Sequence, residues 1–433
     1  MPPGTNSKPN SSPSHTSLVG ATTALVLLTA LNFVNYIDRY ILPGVQEQVK
    51  GEFALTDAQI GSLTLWFMVA YMAASPVTGW LGDRFPRKPM IVVAALFWGS
   101  VNLLTATVHS YGSLNLRHAA LGIGEASFGI FAPALLSDFY PPAQRNRVLT
   151  IFNIAIPVGA ALGYLIGGTV GEHFGWRTSF VVSAIPAILL AILLALFMKE
   201  PARSRGSDEG KAQLRKDTVL SLLHNPAYLC SIGGYAAVTF SLGGISWWMP
   251  SHLQRIDGRS QTSAAFLMGA ITVIAGLGGT VIGGFVAQRW SRSSATSAHQ
   301  ALYLVPAISA LLATPPALVC FFGPQVFGSK ALTLPALALA IFFIFLGTGP
   351  VNAATVNAVR PEIRATALAG QLFLIHALGD AISPRIIGAV SDHSDLAVGL
   401  GSTLITLVLG SAIFFLGARF APPLQPQAAP KTA

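Results

Sequence analysis

The chain has 433 residues, of which 52% are hydrophobic and 10% charged, and its mean hydropathy of +0.59 excludes an ordinary soluble globular protein. The formal net charge of +9 does not indicate a nucleic-acid partner, because the basic residues gather in alternate loops between apolar segments and form no continuous stripe. Both cysteines, Cys230 and Cys320, fall inside apolar segments, so no disulfide framework is predicted.

Twelve apolar segments follow one another along the chain, and each is long enough to cross a bilayer as a helix. The predicted segments are residues 18–41, 57–82, 88–109, 112–138, 146–171, 176–198, 226–252, 262–288, 298–322, 331–355, 363–390 and 396–419. A charged linker at 199–225 divides them into six-helix bundles at 18–198 and 226–420. The tails at 1–17 and 421–433 are expected to be disordered. The prediction is an all-α membrane protein with two pseudo-symmetric bundles.

Lysine and arginine are concentrated in the linker and in the loops that follow even-numbered segments. Cytoplasmic loops of membrane proteins carry this excess of basic residues. Both termini and the linker are therefore predicted to be cytoplasmic, in a plasma or inner membrane.

The first segment carries an acid and a base, Asp38 and Arg39, close after Asn35. A charge near the bilayer centre costs about 3 kcal/mol on insertion scales, so ionisable residues at that depth usually serve a function. Asn35 and Arg39 share one face of a helix, with Asp38 at its edge. One interpretation is that these residues line a transport path. The alternative is that the helix ends near residue 37 and the charged pair is interfacial.

The stretch GWLGDRFPRK, from Gly79 to Lys88, resembles the cytoplasmic signature of the major facilitator superfamily, with Pro86 where that family has glycine. A weaker copy ends at Arg289 after the eighth segment, and a second internal echo pairs Arg145 with Arg364. The glycine allows close helix approach, and the acid can attract the positive groups of a neighbouring helix. The residues predicted to act in conformational gating are Gly79, Asp83, Arg84, Arg87, Lys88, Arg145 and Arg364.

The fourth segment contains Arg117, His118 and Glu125. Arg117 and Glu125 are about 12 Å of helix rise and roughly 80° apart, so both can reach one broad face, to which His118 lies closer. A buried carboxyl beside a movable arginine can gain and lose a proton as the arginine moves. Glu125 is therefore, with Asp38, a predicted proton carrier. A static buried ion pair is the alternative.

The carboxy-terminal half has fewer polar groups within its segments. Tyr235 lies in the seventh segment between two glycine pairs, which weaken a helix and indicate a candidate outer gate. In the eleventh segment His376, Asp380 and Ser383 fall on one helical stripe, which should face a path or a partner helix. The predicted substrate-binding residues are Arg39, Arg117, Asn35, Tyr235, His376 and Asp380.

Several stretches are similar to Spinster-type transporters of the major facilitator superfamily. They are GIGEASF at 122–128, APALLSD at 132–138, AIPVGAALGY at 155–164 and HALGDAISP at 376–384. The likeness covers nearly the whole chain between the tails. It implies the major facilitator superfamily fold and an alternating-access carrier whose relatives move lysophospholipids and sphingosine phosphate. It also implies that Asp38, Arg39, Arg117 and Glu125 carry proton coupling and head-group contact.

The leading hypothesis is a proton-coupled transporter of an amphiphilic, lipid-like substrate. Protons and membrane lipids are the other expected partners, no cofactor is expected, and the chain is expected to be a monomer. The alternative is a proton-coupled symporter of a polar organic anion such as a sugar acid, since that facilitator group carries a similar first and fourth helix.

The cavity wall should separate the two hypotheses. A lipid carrier needs an apolar cavity that opens towards the membrane, whereas a sugar-acid site needs several Asn, Gln or Tyr groups for each ligand hydroxyl, and such groups are sparse in the carboxy-terminal segments. An enzyme is not predicted, because the sequence has no G-x-S-x-G, H-E-x-x-H, phosphate loop or Cys/His metal spacing. A receptor role without transport stays open.

Overall fold

The computed structural model describes residues 15–201, 216–293 and 298–421, and these ranges contain helices and no strand. The helices are α1 (His15–Phe53), α2 (Asp57–Arg84), α3 (Arg87–Thr105), α4 (Tyr111–Phe139), α5 (Pro142–Phe174), α6 (Trp176–Phe197), α7 (Lys216–Leu223), α8 (Pro226–Arg255), α9 (Gln261–Ser293), α10 (Ala298–Phe327), α11 (Thr333–Leu346), α12 (Thr348–Asn357), α13 (Arg364–Ile375), α14 (Ser383–His393) and α15 (Leu396–Phe420). A 3₁₀ turn, Pro361–Ile363, precedes α13, and a π-helical turn, His376–Asp380, follows it.

Among the described residues, twelve stretches are long and apolar enough to cross a membrane, which confirms the predicted number of spans. Two boundaries differ from the prediction. Helix α1 begins at His15, inside the predicted tail, and α7 lies inside the predicted linker. The rest of both predicted tails, at 1–14 and 422–433, and of the linker, at 202–215, falls outside the described residues.

Two spans are interrupted, the tenth at Gly347 and the eleventh at a π turn. Helices α11 and α12 meet at Gly347, where a Cβ would lie 2.8 Å from the Ser309 Oγ of α10, so glycine permits this close contact. In the eleventh span the Ala381 N–H donates to the His376 carbonyl at 3.1 Å, the five-residue step of a π turn. Pro384 then lies in the first turn of α14, where its missing N–H leaves no helical bond unmade.

Helices α1 and α5 pack backbone to backbone along a glycine stripe. A Cβ at Gly159, Gly163 or Gly167 would lie 2.5–2.7 Å from backbone carbonyls of α1. Small residues at four-residue steps allow this approach in membranes, where packing replaces the hydrophobic effect as the force between helices. The stripe fixes the position of α1, which carries Asp38 and Arg39.

The two halves of the chain, 15–201 and 216–421, meet at the end of the molecule that carries the α1–α2 and α8–α9 loops; we call this the closed end. A Cβ at Gly61 of α2 would lie 2.3 Å from the Pro384 carbonyl, and a Cβ at Gly388 of α14 would lie 2.4 Å from the Asp57 carbonyl. One buried apolar cluster also runs from Val45 of α1 to Trp248 of α8. The halves are therefore in backbone contact at this end.

Charged residues reinforce the closed end. The closed-end latch consists of Glu47, Lys50, Asp57, Arg255, Ser391 and Asp392. The Arg255 guanidinium donates to the carboxylates of Asp57 (2.7 and 2.8 Å) and Glu47 (2.7 and 2.9 Å) of the other half. The Asp392 carboxylate accepts hydrogen bonds from the first backbone N–H groups of α2, at 2.7 and 3.0 Å, and thereby caps that helix from the opposite half.

Candidate functional site

A cavity of about 180 Å³ lies between the halves, and charged side chains from both halves face it. From the first half, α1 contributes Asp38 and Arg39, and α4 contributes His118 and Glu125. Asp380 enters from the second half. Of the four residues predicted for proton coupling and head-group contact, Asp38, Arg39 and Glu125 thus line one cavity, together with the predicted substrate-binding residue Asp380, whereas Arg117 does not line it.

Arg39 and Glu125 form an ion pair across α1 and α4. The guanidinium Nη2 and Nε donate to Glu125 Oε2 at 2.8 and 3.1 Å. The Glu125 side chain is 1% exposed, so its carboxylate is shielded from solvent. The Arg39 side chain is 25% exposed, so its guanidinium still reaches the cavity. The rings of Tyr36, Phe67 and Tyr71 lie 5.1–5.5 Å from the guanidinium carbon and give it further electrostatic support.

Asp38 has a different environment from Glu125. Its carboxylate accepts hydrogen bonds from Trp98 Nε1 at 3.2 Å and Asn102 Nδ2 at 2.9 Å, and the side chain is almost fully buried. None of the described cations lies within ion-pair distance of it. The charge of Glu125 is thus balanced by a guanidinium, whereas Asp38 is held by neutral donors of α3.

Helix α1 continues for about four turns beyond Arg39 before it ends at Phe53. The charged pair therefore lies well inside the helix, and the alternative that the helix ends near residue 37 is wrong. Asn35 is buried one turn before Arg39, and its Nδ2 has no hydrogen-bond partner among the described residues. It is not among the residues that line the cavity.

The second half presents the His376–Asp380 pair on its π turn. His376 Nδ1 lies 3.0 Å from each Asp380 carboxylate oxygen. Asp380 lines the cavity, and His376, which is not among the lining residues, lies behind it. A Cβ at Gly243 of α8 would lie 2.5 Å from the Asp380 Cβ, so this glycine makes room for the acid.

Two predicted substrate-binding residues lie elsewhere. The Arg117 guanidinium donates to Thr107 Oγ1 at 2.9 Å, near the start of α4, and does not join Arg39 and Glu125. Arg117 lies about 12 Å along α4 from Glu125. At that level of the helix, His118 occupies the face that points toward the cavity. Tyr235 packs inside the second half and lines a separate, much smaller void with Val351 and Phe414.

Several cavity residues were not predicted. They include Tyr40, Thr64, Phe67, Thr239, Leu242, Ser246, Trp247, Thr272 and Phe345. Most belong to apolar helices in which a single hydroxyl or aromatic residue carries no periodic signal. His118 was recognised as sharing the face of Glu125, and that helical position was the available signal. Among the described residues no group of three or more His, Cys, Asp or Glu side chains could hold a metal ion.

The predicted gating residues lie at the end opposite the latch, and the contacts that the structure describes for them stay within one half. Arg87 pairs with Asp138, and Lys88 Nζ donates to the Ala195 carbonyl at 2.8 Å. Arg84 lies 4.2 Å from the centre of the Trp80 ring. Arg145 and Arg364 donate to the carbonyls of Tyr140 and Val356, at 3.1 and 3.2 Å. Gly79 has open space at its Cβ position, and Asp83 is exposed.

Comparison with known proteins gives consistent matches. The family model described as Major Facilitator Superfamily matches residues 28–384. Protein spinster of Drosophila melanogaster is 32% identical over 398 residues, which cover 88% of this chain and 64% of that longer protein. The sphingosine-1-phosphate transporter SPNS2 of Danio rerio is 32% identical over 424 residues, covering 92% of this chain and 82% of the relative.

Among solved structures, a bacterial homolog of the human lysosomal transporter Spinster, in an inward-facing and unoccupied conformation, superposes with a TM-score of 0.82. That match covers 95% of this chain and 98% of the other at 23% identity, and it establishes a common fold.

Proposed function

This chain belongs to the major facilitator superfamily, and within it to the Spinster proteins, and from that membership we propose that it is a proton-coupled transporter of a single-chain, charged amphiphile such as a lysophospholipid or a sphingolipid phosphate. In this proposal the bundles at 18–198 and 226–420 rock against each other around the cavity, so that it opens to one side of the membrane at a time. The positive-inside distribution favours a cytoplasmic location for both termini.

The observation that carries the proposal is the division of the cavity wall into a charged and an apolar part. Arg39, Glu125 and Asp380 supply charge, while Phe67, Leu242 and other apolar side chains supply most of the remaining surface, which also includes hydroxyl side chains. Among the described residues that line it there is no Asn or Gln and a single Tyr, Tyr40. This arrangement suits a charged head group attached to a chain, and it offers few of the paired amide contacts that a polyhydroxylated solute requires.

The size of the cavity is consistent with this division. A volume of about 180 Å³ holds a head group but not a long chain. The chain of the amphiphile would therefore extend toward the end opposite the latch, where the described polar contacts do not join the halves. The apolar side chains beside the charged cluster would accept the first part of that chain.

Proton coupling follows from competition for Arg39. An anionic head group that reaches the exposed part of the guanidinium competes with Glu125 for its N–H groups. A carboxylate left without its cation in a buried site is costly, so Glu125 then takes up a proton. When the head group leaves, Arg39 returns to Glu125 and the proton is released. Substrate and proton thereby bind together and leave together.

Asp38 and the second half complete the proposed cycle. Asp38 lies next to Arg39 on α1 and is held by neutral donors, so it is the second proposed proton site. Asp380, with His376 behind it, provides an acid on the opposite wall that can bind the hydroxyl or ammonium group of a substrate. The gating residues at 79–88 would join the halves once the latch has opened.

A sugar-acid symporter is the second candidate, and one observation favours it. Five hydroxyl side chains line the cavity and could bind substrate hydroxyls, those of Tyr40, Thr64, Thr239, Ser246 and Thr272. Thermal unfolding of the purified protein in the presence of lysophospholipids, sphingosine phosphate or hexonates distinguishes the two functions. We expect stabilisation by the phosphate amphiphiles and none by hexonates; stabilisation by hexonates alone would replace the first proposal with the second.

A further inference from the structure

A second cavity, larger than the central one, lies outside the proposed transport path, on the outer surface of the first half. It is a groove of about 530 Å³ where α2 ends, α3 begins and α4 passes beside them. Its walls include Leu81, Phe85, Met90, Val93, Ile123 and Phe131, and Ser127 is its one hydroxyl residue. Val93 is 66% exposed and Phe85 50% exposed, so the groove opens outward and not into the protein.

A cation without an acidic partner lies beside one end of this groove. Arg84, one helical turn after Trp80, stacks on its indole at 4.2 Å, and none of the described carboxylates forms an ion pair with it. The other basic groups of this loop are engaged, since Arg87 pairs with Asp138 and Lys88 bonds a carbonyl. Of the three basic side chains described for this loop, that of Arg84 is therefore the one available to bind an external anion.

The groove and Arg84 are adjacent on the same helix. Leu81 and Phe85, which line the groove, each follow Trp80 and Arg84 by one residue, so the two stripes lie side by side on α2. Tryptophan and arginine side chains at the end of a membrane helix usually lie at the level of the lipid head groups. An apolar groove that runs from such a pair along the helices matches the shape of a phospholipid chain below its phosphate.

We propose that this groove binds an anionic phospholipid of the surrounding bilayer, with one acyl chain along α2, α3 and α4 and the phosphate on Arg84. The lipid is a resident of the bilayer and not the transported substrate, because the groove is separated from the central cavity by α2 and α4. Its head group would contact the 79–88 loop, which links lipid composition to the segment proposed for gating.

The test is lipid-dependent thermal unfolding of the purified 433-residue chain, titrated with phosphatidylglycerol or with phosphatidylcholine of identical acyl chains. We expect phosphatidylglycerol to raise the unfolding midpoint at lower concentration than phosphatidylcholine does. Arg84→Gln should raise the half-saturating concentration of phosphatidylglycerol about tenfold, the loss expected for one charge-assisted hydrogen bond, and Arg84→Lys should restore part of it. Val93→Trp, which fills the groove at an exposed position, should weaken binding of both lipids.

Two variants control for general effects. Arg419→Gln removes an exposed cation at the end of α15, and Leu196→Trp adds an indole at an exposed position of α6; neither should alter the titration. Equal stabilisation by the two lipids in the wild type would overturn the proposal. So would a normal phosphatidylglycerol response in Val93→Trp, because the chain would then not lie in the groove, or an equal loss in Arg419→Gln, because the charge effect would then be nonspecific.

Discussion

Glu125→Gln is the substitution that separates proton coupling from folding most cleanly. Glu125 is 1% exposed and accepts two hydrogen bonds from Arg39, and removal of one partner from a buried ion pair typically costs about 3–5 kcal/mol. Here the glutamine oxygen still accepts a hydrogen bond, and Arg39 keeps three aromatic rings, each worth about 0.5–1 kcal/mol. We therefore expect a loss of about 1–2 kcal/mol in the free energy of unfolding, so the variant remains folded.

The transport defect should be much larger than the defect in stability. A gradient of one pH unit supplies about 1.4 kcal/mol for each proton moved with the substrate, which supports about tenfold accumulation. A glutamine at position 125 cannot take up a proton when Arg39 moves to the substrate, nor release one when Arg39 returns. The variant should therefore equilibrate its substrate across the membrane without accumulating it, while exchange of labelled for unlabelled substrate continues.

The assay uses proteoliposomes with an imposed pH gradient, the membrane potential held at zero by valinomycin and equal potassium, and a labelled lysophospholipid. Extraction by albumin measures the ratio between leaflets. Glu52→Gln is the matched control, because Glu52 also pairs with an arginine, Arg177 at 2.6 Å, but lies outside the cavity. Tenfold accumulation by Glu125→Gln would refute its assignment as a proton carrier.

Three further predictions concern the same cycle. Asp38→Asn should also lose the gradient response and keep exchange in the proteoliposome assay; a normal response would mean that Asp38 only joins α1 to α3 through Trp98 and Asn102. Arg39→Ala should weaken binding of a phosphate amphiphile roughly 10- to 100-fold, as measured by titrated thermal shift, and leave its uncharged analogue nearly unchanged; equal weakening would assign Arg39 a structural role. Arg255→Gln removes four hydrogen bonds between the halves and should shift the equilibrium toward opening at the closed end by roughly tenfold or more. Distance measurements between spin labels at the exposed positions 56 and 394 should then show a larger separated population, and an unchanged distribution would mean that backbone packing alone holds this end closed.

Features with a strong local signal could be predicted from the sequence. The twelve spans follow from hydropathy and length. Asp38, Arg39 and Glu125 stood out because charge within an apolar helix is costly, and that cost explains why they lie together between the halves. The four-residue spacing of His376 and Asp380 placed both on one face, and they are hydrogen bonded.

Features that depend on tertiary contacts could not be predicted. The helical positions of Arg117 and Glu125 predicted that both could reach one face of α4. The direction of the Arg117 side chain and its level along α4 instead place its guanidinium against Thr107. The latch joins Asp57 to Arg255, which are 198 residues apart and lie at helix ends where charge is unremarkable. The π turn and the break at Gly347 arise from close packing between helices, which has no signature in a single sequence.

Direct measurement of transport tests the central claim. Proteoliposomes that contain this protein, and matched liposomes without it, are compared for movement of a head-group-labelled lysophospholipid, of sphingosine phosphate and of a radiolabelled hexonate under an inward proton gradient. The account predicts protein-dependent accumulation of at least one of the phosphate amphiphiles that disappears when the gradient is collapsed, and no protein-dependent hexonate uptake. Hexonate accumulation with no movement of either amphiphile would contradict it.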